Sequence, residues 1–129
     1  MEDRVSYKIY YEDTDSLGVV YYANYLKYLE RGRSEYVGKL GRDVADWNRD
    51  GYYFVVYSVN LKFRRSARLS DVVEVISSFT IQTAYRGLFR QRIERAGELL
   101  VGGDVELVCI GPDQQLREFP PDFATVGKA

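Results

Sequence analysis

Residues 5–11 alternate, with Val5, Tyr7, Ile9 and Tyr11 on one parity and Ser6, Lys8 and Tyr10 on the other. A period of two predicts a strand. Glu12 to Gly18 is rich in turn formers, among them Asp13, Thr14, Asp15 and Ser16, and reads as a loop. From Tyr22 to Leu40 the period changes. Tyr25, Leu29, Gly32 and Tyr36, with Leu26, Val37 and Leu40 beside them, form one helical stripe, while Glu30, Arg31, Arg33 and Glu35 fill much of the remainder. Gly32 within the stripe costs about 1 kcal/mol relative to Ala, which predicts close approach of another backbone. Gly38 and Gly41 supply stop signals. Asp43 to Asn48 predicts one further helical turn with Trp47 facing inward.

The second half predicts strands. Tyr53, Val55, Tyr57, Val59, Leu61 and Phe63 form a wholly apolar face. The opposite face runs from Phe54 and Val56 to Lys62 and Arg64, turning polar on the way. After the connection Ala67–Asp71, the residues Val73, Val75, Ser77, Phe79 and Ile81 alternate. Gly87 opens a segment with Phe89, Gln91 and Ile93 on one parity. Ala96-Gly97 is a turn, and Val101, Val105, Leu107 and Cys109 alternate after it. Gly102-Gly103 suggests a bulge or bend. The tail beyond Gly111-Pro112-Asp113 carries Pro120-Pro121 and is expected to be a surface extension. Strand, long helix and four strands joined by short turns predict an α+β domain, an antiparallel sheet with one helix packed on it. One helix covers only part of a sheet face, so a homo-oligomer is expected.

Composition narrows the chemistry. At about 100–200 residues per domain, 129 residues make a single domain, 1–129. There is no histidine, which excludes Ser-His-Asp and Cys-His nucleophile systems within the chain. A single cysteine, Cys109, excludes an internal disulfide and a thiolate cage. The formal net charge of −1 argues against a broad nucleic-acid surface. Clusters at Lys62, Arg64, Arg65 and Arg68, and at Arg86, Arg90, Arg92 and Arg95, leave local anion binding open. The charged start Met1-Glu2-Asp3-Arg4 does not resemble a signal peptide, and no apolar run approaches the ~20 residues of a membrane span. A cytoplasmic protein is expected. The twelve tyrosines suit pockets and interfaces, because each joins a large apolar ring to a hydroxyl that needs a partner.

The stretch 10–25 carries the candidate chemistry. It reads as a strand end, an acidic loop that Gly18 can bend, an apolar elbow and a helix start. A carboxylate beside the free N–H groups and positive dipole end of a helix is a layout that acyl transfer can use. Asp and Ser before a helix also serve as caps and turn formers, so both readings stand on the residues alone.

Tyr10-Tyr11-Glu12-Asp13-Thr14-Asp15, Gly18-Val19-Val20-Tyr21, Asn24-Tyr25 and Tyr28-Leu29-Glu30-Arg31-Gly32-Arg33 resemble the 4-hydroxybenzoyl-CoA thioesterase family of the hotdog superfamily. Within that family the sequence is most similar to the YbgC-type (Tol-Pal-associated) acyl-CoA thioesterases. Weaker echoes at Phe54-Val55-Val56, Ala67–Asp71 and Gln91-Arg92-Ile93 extend the resemblance over most of the chain. It implies a hotdog fold, in which a five-stranded antiparallel sheet wraps one long helix. It also implies hydrolysis of acyl-CoA to free acid and CoA, at sites on the interface of a homo-oligomer, dimer or tetramer.

Position by position, the resemblance matches the catalytic aspartate to Asp15 and the oxyanion-donating backbone N–H to Tyr22. Many YbgC-type members carry His where Tyr22 stands. Asp13 and the helix carboxylate Glu30 are further catalytic candidates, with a turn and an ion pair to Arg31 or Arg33 as their structural alternatives. Gly18, Val20 and Asn24 would shape the substrate site. Arg86, with Arg64, Arg65 and Arg90 as substitutes, would meet the CoA phosphates. No metal and no bound cofactor are expected. The competing classes are a non-catalytic partner of an acyl carrier protein or envelope assembly, and a hotdog dehydratase or hydratase, which the missing histidine argues against.

Overall fold

The computed structural model describes residues 1–126. The elements in chain order are β1 (Glu2–Lys8), α1 (Tyr25–Gly38), α2 (Val44–Arg49), β2 (Tyr53–Phe63), β3 (Val72–Ile81), β4 (Arg86–Arg95), β5 (Glu98–Ile110) and α3 (Pro121–Val126). The five strands form one sheet in the order β1-β3-β4-β5-β2, antiparallel throughout. The chain therefore crosses from one sheet edge to the other through α1.

The predicted parities choose the inner face. Val73, Val75, Ser77 and Phe79 of β3, with Phe89, Gln91 and Ile93 of β4, are buried, as are Tyr25, Tyr28, Leu29, Gly32, Tyr36 and Val37 of α1. Two polar side chains break this apolar layer, and they satisfy each other. Gln91 Nε2 donates to the Leu29 carbonyl at 2.9 Å and to Ser77 Oγ at 2.9 Å, while its Oε1 accepts from Arg33 at 3.0 Å. Gly32 sits directly over this junction. A Cβ there would lie 2.5 Å from Val75 Cγ1 and 3.3 Å from both Gln91 Nε2 and Ser77 Oγ. The close approach expected at Gly32 is thus made by sheet side chains, not by another backbone.

Several boundaries differ from the sequence reading. The alternation predicts a first strand over 5–11, but β1 starts at Glu2 and ends at Lys8 opposite Val72, where its partner β3 begins. Tyr22–Asn24 is one 3-10 turn before α1. In β2 the pairing slips at Tyr57, so no single parity of that strand faces the core: Phe54 packs inward before the slip and Leu61 after it. The irregularity expected at Gly102-Gly103 falls at Leu100 instead, between the pairs Ile93–Val101 and Glu94–Leu99. The Leu100 carbonyl accepts from both Arg64 and Arg65 N–H. Gly103 is needed for another reason, because a Cβ there would collide with the Asn60 carbonyl.

The tail is no surface extension. Arg117 N–H donates to the Cys109 carbonyl, and Phe119 N–H to the Ala84 carbonyl. Phe119 and Phe123 are buried against Phe54 and Phe79. Spaced four apart, the two rings close the core beside Trp47. Among the described residues no helix is long and apolar enough to cross a membrane.

Candidate active site

The loop between β1 and α1 folds as a tight hairpin. Asp15 N–H donates to the Val19 carbonyl at 2.9 Å, and Gly18 N–H returns to the Asp15 carbonyl at 3.0 Å. The turn needs Gly18 because its φ is +77°, a conformation that side chains disfavour. A second edge fixes the hairpin from outside. Val20 N–H donates to the Ala67 carbonyl and Leu69 N–H to the Gly18 carbonyl, each at 2.9 Å. Ala67 N–H in turn donates to the hydroxyl of buried Tyr25 at 2.8 Å.

This frame orients one carboxylate. Asp15 Oδ1 accepts from Leu17 N–H at 2.8 Å and Val19 N–H at 3.3 Å. Its Oδ2 takes no hydrogen bond among the described residues. One oxygen holds the geometry and the other remains free to react.

Asp13 has a different setting. It is 2% exposed, and both its carboxylate oxygens are engaged, one by Lys27 Nζ at 2.7 Å and one by the Tyr28 hydroxyl at 2.5 Å. Its carbonyl accepts from Asn24 Nδ2 at 3.0 Å and Tyr21 N–H at 3.2 Å. Asn24 therefore ties the loop rather than capping α1. Burial alone would raise the Asp13 carboxyl, but the Lys27 and Tyr28 hydrogen bonds and the Lys27 charge together hold it below its ordinary 3.8. The same burial and the Asp13 charge push the Tyr28 hydroxyl up. A depressed carboxylate stabilises the fold above its unfolded pKa, and that stability is lost as pH falls through the lower folded value. Acid unfolding followed by circular dichroism should therefore set in below 3.8, and Asp13→Asn should weaken this pH dependence.

Tyr22 lies one residue beyond the Asp13–Tyr21 pair, at the start of the 3-10 turn that leads into α1. Its N–H takes no partner among the described residues. Tyr22 is 61% exposed, its ring leaning on Tyr21 at 4.9 Å and Phe63 at 5.9 Å between centroids. Phe63 ends β2, so the free edge of the sheet abuts this loop. Val20 is buried beneath it.

The other candidates are spread out. Glu30 makes no ion pair among the described residues; it rims a pocket of about 110 Å³ with Arg33, over Val56, Phe89 and Leu107. Arg86 pairs with Glu106 at 3.8 Å, and Arg65 with Glu98 at 3.3 Å. Arg86 lies beside Val108, whereas Arg64 and Arg65 lie beside Leu100. Eight residues of strand separate these points, about 27 Å at 3.4 Å per residue, so one phosphate group cannot meet all three in one chain. The sequence reading missed the Asp13–Lys27–Tyr28 and Arg33–Gln91–Ser77 clusters. Gln91 and Ser77 on apolar parities were the available signal for the second. Among the described residues no group of three or more His, Cys, Asp or Glu could hold a metal ion.

A family model described as the thioesterase superfamily matches residues 17–101. The chain belongs to the thioesterase superfamily. The matched span takes in the hairpin turn, α1 and most of the sheet, and begins two residues after Asp15. The acyl-CoA thioester hydrolase YbgC of Escherichia coli is 33% identical over 106 residues, 81% of this chain and 79% of that protein. The acyl-CoA thioesterase YbgC of Helicobacter pylori is 50% identical over 68 residues, and the chain spans about half of that relative, 49% of its length. A hypothetical protein of Thermus thermophilus superposes with a TM-score of 0.89 at 31% identity, covering 99% of this chain and 96% of that one. A 1,4-dihydroxy-2-naphthoyl-CoA thioesterase of Synechocystis superposes at 0.91 with 20% identity and the same coverage, a likeness of fold. Within the superfamily the chain belongs to the YbgC-type hotdog family.

Proposed function

We propose that this thioesterase hydrolyses acyl-CoA to the free acid and CoA, with Asp15 as the reacting carboxylate. The observation that carries the reading is the asymmetry of Asp15: Oδ1 is fixed by two backbone N–H groups and Oδ2 is free. The names of the Escherichia coli and Helicobacter pylori relatives support the substrate class.

Two routes fit this carboxylate. Asp15 attacks the thioester carbonyl, expels the CoA thiolate and forms a mixed anhydride that water then opens. Alternatively it takes a proton from a water that attacks the same carbon. A thiol leaving group with a pKa near ~8.5 needs no strong general acid, so neither route requires imidazole. In both, the unpartnered Tyr22 N–H stabilises the oxyanion, a contribution of about 2.7–4 kcal/mol for one such donor. Asp13 anchors the loop, and Glu30, in the second turn of α1, rims the pocket over Val56, Phe89 and Leu107. No metal or bound cofactor takes part, and CoA as substrate fits a cytoplasmic enzyme. The test is release of CoA thiol across acyl-CoA substrates of differing chain length, including an aromatic one. The same acyl group on acyl carrier protein tests that carrier.

The working unit in this reading is a homo-oligomer. Val55, Val56, Tyr57, Val59 and Phe63 are all exposed on β2, an unpaired sheet edge. Such an apolar edge invites pairing. A second copy there would also wall the loop where Phe63 meets Tyr22. The mass in solution should be a multiple of the 14.9 kDa chain, a dimer or a tetramer, and Val59→Lys should lower it. A monomeric wild type with full turnover would contradict this.

A further inference from the structure

The sheet face turned away from α1 carries a hollow of about 390 Å³. A single cross-strand row explains it. Lys62 of β2, Gly102 of β5, Arg92 of β4 and Ile76 of β3 are register neighbours. Gly102 has no side chain, so the row dips at its centre between two cations. Arg90, beside Arg92 on the same face, and Arg64, just past β2, complete a basic rim.

The rim is incompletely neutralised. Lys62 and Arg64 make no ion pair among the described residues. Arg90 reaches Asp104 only at 3.9 Å and is 75% exposed. Arg92 alone is well paired, with Glu94 at 2.7 Å and Glu2 at 3.6 Å. Three under-compensated cations around an apolar floor of Gly102, Ile76 and Leu99 match a flat group bearing phosphates. A hollow of this size suits a small molecule better than the flat contact of a protein partner.

We propose that this hollow is a binding site for a nucleotide carrying two or more phosphate groups, on the opposite face of the sheet from α1. The phosphates meet Lys62, Arg64 and Arg90, and the base lies over Gly102 and against Leu99. CoA and free nucleotides share this chemistry. The site stands independently of the Asp15 reading, since binding is measured without turnover.

The test is calorimetric titration of the full chain with adenosine 3′,5′-bisphosphate at low salt, where surface charges are least screened. One variant removes charge, Lys62→Ala with Arg90→Ala. The other fills the hollow with the charges intact, Gly102→Val. The atoms nearest to a Cβ at Gly102 would be Leu99 Cδ1 at 3.6 Å, Arg92 Cβ at 3.8 Å and the Gln91 carbonyl at 3.9 Å, all ordinary contacts, and valine suits a strand. The wild type should bind, and each variant, at unchanged melting temperature, should bind at least about tenfold more weakly. No binding by the wild type, or equal binding by both variants, overturns the proposal. Kinetics identify the source of the nucleotide. If KM of the double variant rises for an acyl-CoA but not for the same acyl group on N-acetylcysteamine, the hollow takes the nucleotide end of CoA. If neither KM changes while bisphosphate binding is lost, it takes a free nucleotide.

Discussion

Asp15→Asn is expected to reduce kcat/KM for acyl-CoA by about 100- to 10,000-fold, the range for loss of a positioned acid–base or nucleophilic group. The substitution is nearly isosteric. An Asn side-chain carbonyl can still accept from Leu17 and Val19 N–H, the two bonds that Oδ1 makes, so the hairpin should keep its shape. What disappears is the charge and basicity of the free oxygen. The melting temperature should therefore stay within a degree or two of the wild type, as expected for a surface change of well under ~1 kcal/mol. A matched loss of stability and activity would mean that Asp15 only builds the turn.

Gly32→Ala should destabilise the protein, against the helical preference for Ala. Propensity favours Ala by about 1 kcal/mol. The new methyl, however, would lie 2.5 Å from Val75 Cγ1. Val75 is fully buried and β-branched, so it has no free rotamer into which to retreat. Overpacking of this kind costs about 1–3 kcal/mol, and relief by moving α1 would stretch the bond from Gln91 to the Leu29 carbonyl. The decisive arm is a cycle with Val75→Ala. In that background the Val75 clash is gone and only the 3.3 Å contacts with Gln91 Nε2 and Ser77 Oγ remain, so Gly32→Ala should lose most of its cost. Urea unfolding of the four proteins reads the difference. Destabilisation of equal size in both backgrounds would place the cost elsewhere than the Gly32–Val75 contact.

Gly32 also shows how far the sequence carries. Its position within the apolar stripe signalled a close contact, but the contacting atoms come from β3 and β4, more than forty residues away, and no local pattern names them. The inner parities of β3 and β4 were legible because both edges of those strands are paired without a slip through their inner residues. β2 was not, because an extra residue at Tyr57 reverses parity halfway and its outer edge has no partner in the chain. The tail was misread because Pro120-Pro121 outweighed the rings of Phe119 and Phe123 on either side. At the site, the loop and its bend at Gly18 were legible from turn chemistry. The division of labour between Asp13 and Asp15 was not. Asp13 ends a 3-10 turn and Asp15 opens the hairpin bend, and only tertiary contacts bury one under Lys27 and Tyr28 and leave the other an open oxygen. The basic residues likewise formed two clusters in sequence, while the sheet register sends Arg86 to one end and gathers Lys62, Arg90 and Arg92 around Gly102.

The absence of histidine gives the central claim its sharpness. In the proposed reaction, thioester hydrolysis runs on a carboxylate and a main-chain N–H. The most direct test is the steady-state release of CoA thiol by the purified chain over a panel of acyl-CoA substrates, with Asp15→Asn measured beside it. Sustained turnover of at least one acyl-CoA by the wild type, lost in a folded Asp15→Asn, is the predicted result. No turnover of any acyl-CoA, or equal turnover by the two proteins, would contradict it.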